Sequence, residues 1–405
     1  MKNKEVIVLQ LDFNEIINRS HTSSEKWNPE RLKKYFGRHD LLCFGVGDMD
    51  IKSPPMVITD LIERAQHGIY GYEYISDSLK KSILNWFRHR HKWNIDLDSL
   101  QFSPSILSAL SILINILTNE GEKIIIQSPV YYPFSYMIMS KNRIVEENKL
   151  VQSNGRYEIN FADLEKKASA PECKMLILCN PHNPVGRVWT EGELKKVSNI
   201  CNKYNVIVIS DEAHSDIVYK NHKYVPFLSL KENKNTSAIT CLSPSKTFNL
   251  AGASLGIVIS PNLEIVDLYQ RYIERNFLET NNVFSLIACN SAYSKGEEWL
   301  NEYLSYLEGN LLFLTNFIKQ RIPEIKVNKP EGTFFVWLDF SAMQKRGKAL
   351  EQFLINEARV ALDPGYWYGI DGLNYARINI ACPRDLLNKG LERIENAIKS
   401  NVGNF

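Results

Sequence analysis

The sequence predicts an α/β protein in which an open, mostly parallel sheet is covered by helices on both faces and is followed by a smaller α+β unit. The first observation is that short apolar runs alternate with helical patterns in the middle of the chain, which is typical of a parallel sheet. The second is that the pattern changes from about residue 290 onward. There the strand-like segments EGTFFVWLDF and YARINIA are flanked by the helical segments ALEQFLINEA and LLNKGLERIENAIKS.

The elements of the main sheet are predicted from apolar runs that begin near residues 123, 174, 205, 237 and 254, namely KIIIQ, KMLILCN, NVIVIS, SAITC and SLGIVIS. A long helix near 285–310 is predicted to join the two lobes, because no linker rich in Pro, Gly or Ser separates them. We therefore expect an N-terminal segment over 1–50 that packs with the small domain, a large ligand-binding domain over 51–290 and a small C-terminal domain over 291–405.

Composition and charge favour a small ligand over a nucleic acid. The 405 residues include 48 Lys and Arg against 46 Asp and Glu, a formal net charge of +2, and contain no block of five like charges. Seven cysteines without clustered spacing indicate reduced thiols and a cytoplasmic protein. The apolar stretch near the N-terminus is too short for a signal peptide, and ILSALSILINILT is too short and too polar to span a bilayer. We expect neither a nucleic-acid nor a membrane partner.

Polar clusters follow four of the apolar runs: PVYYPF, NPHNPVG, DEAHSD and SPSK. Parallel sheets bind ligands at the carboxyl ends of their strands, so these clusters are expected to face one crevice.

Lys246 in SPSKTFNLAG is the most informative residue of these clusters. An isolated lysine is usually a solvated surface charge. A lysine in a desolvated turn just after a buried strand, however, has a lowered pKa and can attack an aldehyde, then act as a base. Pyridoxal phosphate is the cofactor that uses such a lysine.

That cofactor requires further residues around its ring. Asp211, directly after VIVIS, is placed to keep the pyridine nitrogen protonated, although a turn-capping aspartate is the commoner case. Tyr131 is a candidate for the face of the ring, against a simple packing role. Asn183, between two prolines, is a candidate for the ring hydroxyl, against an Asx turn.

The phosphate and the substrate also need partners. SPSILSALSIL is expected to start a helix with Ser103 as N-cap and Pro104 at the first position, which leaves the amides of 105–107 free for a phosphate. Ser243 can add a hydroxyl. Arg377, flanked by apolar residues, is a candidate for binding a substrate α-carboxylate. Each signal is weak by itself, and together they are strong.

With these motifs, the chain resembles the fold-type I pyridoxal-phosphate enzymes of the aminotransferase class I/II superfamily, and within it the MalY/PatB group of cystathionine β-lyases. The similarity runs from NRSHTSSEKW through GDMDIKSPP and HGIYGYEY to EGTFFVWLDF and ACPR, and its most specific stretches are NPHNPVGRVWT and SDEAHSD. It implies a large domain with a mostly parallel seven-stranded sheet sandwiched by helices, and a smaller α+β C-terminal domain.

The resemblance also implies the roles of individual residues. Lys246 is the expected Schiff-base lysine, and Asp211 and Tyr131 complete the predicted catalytic set. A homodimer is implied, because in this family a tyrosine of the neighbouring subunit reaches the phosphate. The remaining expected cofactor contacts are Asn183, Ser105, Ile106, Leu107, Ser243, Ser245, His214 and the neighbour's Tyr72, and the expected substrate contacts are Arg377, Gly47 and Tyr132.

The activity implied by the resemblance is β-elimination from cystathionine or a related cysteine S-conjugate, which gives pyruvate, ammonia and a thiol. An aminotransferase, an enzyme that eliminates or cyclises a specialised amino acid, and a non-catalytic regulatory binding protein are the alternatives. His214 stands where aminotransferases often carry tyrosine, which favours the lyase, and Ser254 stands where they often carry arginine. Gly45 and Gly47 replace the family's large aromatic residue and alanine, which should open space near the substrate carboxylate. The identity of the substrate therefore stays undecided. The histidines lack metal-ligand spacing, so no metal is expected.

Overall fold

The computed structural model describes residues 11–153, 155–233, 236–279 and 282–400. Its strands in chain order are β1 Leu42–Cys43, β2 Leu100–Ser103, β3 Lys123–Ile126, β4 Ile144–Glu147, β5 Val151–Ser153, β6 Arg156–Glu158, β7 Cys173–Cys179, β8 Ile207–Asp211, β9 Ile239–Leu242, β10 Gly256–Ile259, β11 Lys326–Asn328, β12 Phe335–Asp339, β13 Val360–Ala361, β14 Asp363–Pro364 and β15 Tyr375–Asn379. Its helices are α1 Pro29–Phe36, α2 Pro55–His67, α3 Asp77–His91, α4 Ile106–Leu117, α5 Pro133–Met139, α6 Phe161–Ala168, α7 Glu191–Lys203, α8 Pro244–Thr247, α9 Leu263–Arg275, α10 Val283–Lys295, α11 Glu297–Arg321, α12 Lys348–Asn356 and α13 Arg384–Ser400.

The main sheet has seven strands in the order β2-β10-β9-β8-β7-β3-β4. The strands from β9 to β4 run parallel, whereas β10 is antiparallel to both of its neighbours. The predicted α/β class, the mostly parallel seven-stranded sheet and all five strands predicted from apolar runs are confirmed.

The central strands are apolar along their whole length because helices cover both faces of the sheet. Ile177 and Ile209 pack with α4 and α9 in one hydrophobic cluster, whereas Leu176 and Val208 pack with α6 and α7 in another. In register, Asp211 lies opposite Cys179 on β7 and Cys241 on β9. The carboxyl ends of these three strands therefore meet at one edge of the sheet.

The second sheet is antiparallel, in the order β11-β12-β15-β14. The prediction of one long helix near 285–310 is wrong, because two helices, α10 and α11, meet at Gly296. The Gly296 amide closes α10 by donating to the Ala292 carbonyl at 2.8 Å. A Cβ at position 296 would lie 2.5 Å from the Phe248 ring, so the chain turns where only a glycine fits against that ring.

The N-terminal segment lies beside the second sheet. β1 pairs in parallel with β13, and the Asn379 amide donates to the Phe44 carbonyl at 2.8 Å. Lys26 is fully buried and forms an ion pair with Asp50. The assignment of this segment to the small domain and the boundaries at 50 and 290 stay predictions.

The seven cysteines are buried free thiols. Within the described ranges, the structure contains no helix that is both long enough and apolar enough to cross a bilayer.

Candidate active site

A cavity of about 270 Å³ lies at the carboxyl ends of β7, β8 and β9, between the main sheet and two residues of the second sheet, Phe335 and Arg377. Chain segments that are far apart in sequence meet there, as the strand-end clusters predicted. The predicted residues that line it are Gly47, Ser105, Ile106, Leu107, Tyr131, Asn183, Asp211, His214, Ser243, Ser245, Lys246 and Arg377.

Lys246 lies in the short helix α8, which begins directly after β9. Its Nζ donates to the Gly47 carbonyl at 2.6 Å. Burial, and secondly the charge of Arg377, lower the pKa of Lys246 to about 8. A Cβ at position 47 would lie 2.7 Å from this nitrogen, so the glycine leaves room for the amine. The lowered pKa increases the neutral fraction of the amine at neutral pH, and the neutral amine is the nucleophilic form.

Asp211 is the last residue of β8, and its Oδ1 accepts a hydrogen bond from the Ala213 amide at 3.1 Å. Burial raises the pKa of Asp211 to about 6, against the opposing effects of that amide and of Lys246. A cationic group placed against this carboxylate would favour its ionised form. A protonated pyridine nitrogen is such a group.

The N-terminus of α4 forms one end of the cavity. The prediction that Ser103 is the N-cap is wrong, because Ser103 ends β2 and Ser105 is the N-cap. Ser105 Oγ accepts a hydrogen bond from the Ser108 amide at 3.1 Å. The chain is still extended at Ser105, so helical geometry starts two residues later than expected. The amides of 105–107 nevertheless lie at the first turn, where an α-helix offers N–H groups without intrahelical acceptors.

Two serines complete this end. Ser243 caps α8, with its Oγ accepting from the Ser245 amide at 3.2 Å and donating to the Ser245 hydroxyl at 3.0 Å. Helix N-termini and hydroxyls together make a suitable phosphate site without a cationic side chain.

Arg377 lies at the opposite end, on β15. Its guanidinium forms an ion pair with Asp363, its cross-strand neighbour on β14, and Nη1 donates to Asn183 Oδ1 at 2.8 Å. Its Cζ lies 3.5 Å from the centroid of the Phe335 ring. The side chain is 4% exposed. The arginine is therefore held by a carboxylate, an amide and a ring face.

Tyr131 and His214 line the same cavity as neutral groups. Burial raises the pKa of Tyr131 to about 12. Burial, followed by the charges of Lys246 and Arg377, lowers the pKa of His214 well below its usual value. The His214 ring packs edge-on against Phe335, with centroids 5.6 Å apart, and its Nδ1 has no hydrogen-bond partner among the described residues.

Two predicted residues lie elsewhere. Tyr132 lines a neighbouring aromatic cavity of about 490 Å³ together with Trp367 and Tyr368. Tyr72 is fully exposed on the single subunit and contributes nothing to the cavity of its own chain.

A model of the aminotransferase class I and II family matches residues 39–394. The chain belongs to this family.

Individual relatives narrow this assignment. Cystathionine beta-lyase PatB of Bacillus subtilis is 37% identical over 388 residues, which cover 96% of this chain and 100% of that protein. A PLP-bound putative aminotransferase from Clostridium difficile is 44% identical with a TM-score of 0.93, covering 96% and 100% of the two chains. Cystalysin from Treponema denticola, whose structure contains pyridoxal 5'-phosphate, is 32% identical with a TM-score of 0.93, covering 97% and 100%. The resemblance to the MalY/PatB group is confirmed.

Within this class I/II aminotransferase framework, the sequence reasoning missed three residues of the site. Phe335 packs on Arg377, Ser254 lines the end of the cavity at α4 and donates to the Pro104 carbonyl at 2.9 Å, and Asp363 pairs with Arg377. In the sequence, Ser254 stands out only because aminotransferases often carry arginine at that position. The alternation of strand residues could have placed Phe335 on the inner face, whereas no local signal connects Asp363 with Arg377.

Proposed function

We propose that this chain is a pyridoxal-phosphate-dependent carbon–sulfur β-lyase that cleaves cystathionine or a related cysteine S-conjugate. The observation that carries the proposal is that Lys246, Asp211, Asn183 and Arg377 share one cavity in a chain that matches a cystathionine β-lyase over 96% of its length. Each of these residues has the chemistry that one part of the cofactor or substrate requires.

The residues present fit the cofactor. Lys246 supplies the amine for its aldehyde, Asp211 the carboxylate for its ring nitrogen, and Asn183 a group for its ring oxygen. Tyr131 supplies an aromatic face for the ring. The amides of 105–107 with Ser243 and Ser245 supply donors for a phosphate. Burial raises the pKa of Asp211, so a cationic ring nitrogen beside it would stabilise the ionised carboxylate.

When bound, the cofactor supplies an electron sink for the electron pair left at the substrate's α-carbon. Arg377 binds the substrate carboxylate and orients the α-carbon. Lys246 removes the α-proton as a neutral amine and then holds that proton close to the departing sulfur. His214, which stays neutral, adds no competing cation beside the carboxylate. The balanced reaction consumes the amino acid and one water and releases pyruvate, ammonia and a thiol.

The functional unit is proposed to be a cytoplasmic homodimer. A short surface segment after α2 exposes several large side chains in the single subunit: Ile69, Tyr70, Tyr72 and Tyr74. An exposed apolar patch of this kind is typical of an interface, and it would let Tyr72 reach the partner's phosphate site. The seven buried free thiols support a reducing compartment.

The lyase proposal is tested with cystathionine and no keto acid. Pyruvate, ammonia and free thiol are expected to accumulate over many turnovers. The Lys246→Ala variant is expected to lose both this activity and the absorbance band at about 420 nm that a lysine-linked cofactor gives. A single turnover that stops with the amine form of the cofactor would contradict the lyase and establish the aminotransferase instead.

The aminotransferase stays the second candidate because the 44% identical structure from Clostridium difficile is described as a putative aminotransferase. His214 in place of the tyrosine common in aminotransferases favours the lyase. A panel of amino acids with pyruvate or 2-oxoglutarate, read by product mass, measures this second activity directly.

A further inference from the structure

The amine of Lys246 is held by a chain segment that the proposed chemistry does not use. This segment, over 46–51, follows β1 and contains the motif GDMDI. The Gly47 carbonyl accepts from Lys246 Nζ at 2.6 Å, and within the described ranges the amine has no other hydrogen-bond partner. A single acceptor therefore orients the amine, so the position of the segment decides where the amine points.

Side chains from other elements hold this segment in place. Val46 has a φ of 31°, which is unfavourable for a β-branched residue, so the local backbone preference does not favour this path. Asn249, from the motif PSKTFNLAG, donates to the carbonyls at positions 49 and 51 at 3.2 and 2.7 Å. Asn379 on β15 donates to the carbonyls at positions 46 and 48 at 2.9 and 2.8 Å.

Arg19 binds the same segment from the N-terminal part of the chain. Its guanidinium forms an ion pair with Asp48 and donates to Asp50 Oδ1 at 2.8 Å and to the Met49 carbonyl at 3.3 Å. Asp50 has Lys26 as a second ion-pair partner. The Asp48 side chain, in contrast, has only Arg19 as a hydrogen-bond partner among the described residues, and its Oδ1 is buried without one.

Asp48 also acts on Lys246 through its charge. Burial and then Arg377 lower the pKa of Lys246, whereas Asp48 and Asp211 raise it. His214, which also faces the amine, stays neutral because burial lowers its pKa. Asp48 is therefore one of two carboxylates that favour the ammonium form of the lysine.

The pairing of Asp48 decides how strongly it acts. Arg19 pairs with this carboxylate directly, whereas Lys26 pairs with Asp50 and interacts with Asp48 only through its charge. Without Arg19, the carboxylate would favour the ammonium form of Lys246 more strongly. Less of the neutral amine that attacks an aldehyde would then be present at neutral pH.

We propose that Arg19 is a positioning residue for Lys246: paired with Asp48, it holds the Gly47 carbonyl against the amine and compensates the charge of the neighbouring carboxylate. This inference rests on the proposed function, because it takes Lys246 as the reacting amine. It gives the motif NRSHTSSEKW, in which Arg19 stands, a role in the chemistry of the cavity.

The apoprotein tests the proposal without any turnover. The rate at which it captures pyridoxal phosphate, measured across pH by stopped-flow absorbance, gives a midpoint and a limiting rate at high pH. Arg19→Met is expected to raise the midpoint by about 0.5 pH units, since Asp48 loses its paired cation, and to lower the limiting rate about threefold, since the amine is held less well. Arg19→Lys keeps the positive charge and is expected to stay close to the parent midpoint.

Asp48→Asn separates the effect of charge from loss of stability. It removes the carboxylate and is expected to lower the midpoint, in the opposite direction from Arg19→Met. The double variant is expected to keep the lower midpoint, because Arg19 acts through Asp48. Urea denaturation shows whether each variant folds, and Asp48→Asn decides the test alone if Arg19→Met does not fold.

Arg38→Met is the matched control, because it removes the same side chain from a surface ion pair, with Asp40 at 2.8 Å, and Arg38 does not line the cavity. Its capture profile is expected to match that of the parent protein. The inference is overturned if Arg19→Met leaves the midpoint or the limiting rate unchanged, if Asp48→Asn does not lower the midpoint, or if Arg19→Met raises it equally with and without Asp48.

Elimination from cystathionine is measured separately on the holoenzyme. Arg19→Met is expected to lower kcat with little change in KM, because Arg19 does not line the cavity. Normal elimination with unchanged capture profiles would overturn the inference and leave the lyase in place. A parent protein that eliminates nothing from cystathionine, together with shifted capture profiles of the variants, would refute the lyase and keep the role of Arg19.

Discussion

Lys246 shows how burial prepares one side chain for chemistry. Burial and the charge of Arg377 lower its pKa to about 8, so the rate at which the apoprotein captures pyridoxal phosphate is expected to rise with pH through a midpoint near 8. The rate rises with pH because only the unprotonated amine attacks the aldehyde. Stopped-flow absorbance between pH 6 and about 9.5 measures the profile.

The Arg377→Met variant is the internal check on that profile. It removes the second cause of the low pKa, so its midpoint is expected at higher pH than in the parent protein. An unchanged midpoint would mean that Arg377 exerts no field on the amine, contrary to the arrangement in the cavity.

Ionised Asp211 is predicted to destabilise the folded apoprotein. Its pKa in the folded chain is raised from 3.8 to about 6, so the ionised carboxylate destabilises the fold at pH values above 6. The penalty decreases as the pH falls through 6 and disappears below 3.8, where both folded and unfolded chains are protonated. Asp211→Asn apoprotein is therefore expected to be more stable by about 3 kcal/mol at pH 7.5, with little difference near pH 4.

Urea denaturation of both apoproteins at the two pH values measures this difference. The same variant is expected to hold the cofactor less tightly, since an amide offers no negative charge to a protonated ring nitrogen. Equal stability of the two apoproteins at pH 7.5 would contradict the burial effect.

At the scale of elements, the N-terminus of α4 is predicted to bind the phosphate. Ser105→Ala removes the N-cap, which is expected to cost about 1 kcal/mol and to weaken cofactor binding by loosening the amides that face the cavity. Thr190→Ala is the matched control, because Thr190 caps α7 in a capping box and does not line the cavity. It is expected to cost similar stability with unchanged cofactor affinity, which fluorescence titration measures. Equal effects of the two variants on affinity would contradict a phosphate site at α4.

The elements themselves were largely predictable, and their ends were not. The buried strands β3, β7, β8, β9 and β10 follow from uninterrupted apolar runs, because both of their faces are covered. Ser103 and Ser105 in SPS are equivalent as local N-cap signals, and only the pairing of Ser103 with Gly256 on β10 decides between them. The end of α10 at Gly296 likewise depends on the Phe248 ring, which a local pattern does not show.

At the scale of the whole molecule, the sequence predicted those site residues that sit in motifs at strand ends, such as Lys246 and Asp211. It did not predict Asp363 as a residue of the site. The position of this carboxylate depends on its contacts with Gly45, which is far away in sequence, and with its cross-strand partner Arg377. Pairs of this kind arise from the packing of two sheets and a long N-terminal segment. They are visible only after the chain has been folded.

The assembly gives the last prediction, which concerns the sharing of residues between subunits. If Tyr72 reaches the partner's phosphate site, Tyr72→Ala and Lys246→Ala are each expected to lose most activity as pure proteins. After unfolding and refolding together, a mixed dimer combines the intact Lys246 of one chain with the intact Tyr72 of the other, so one of its two sites is complete. Random mixing at equal amounts is expected to restore about a quarter of the parental activity.

A mixture of Asp211→Asn with Lys246→Ala is the control, because both changes lie in the same chain's cavity and each site of that mixed dimer keeps one defect. Recovery confined to the first mixture, measured against the dimer content by light scattering, is the expected outcome, and a first mixture that stays inactive as a dimer would place Tyr72 outside the partner's site.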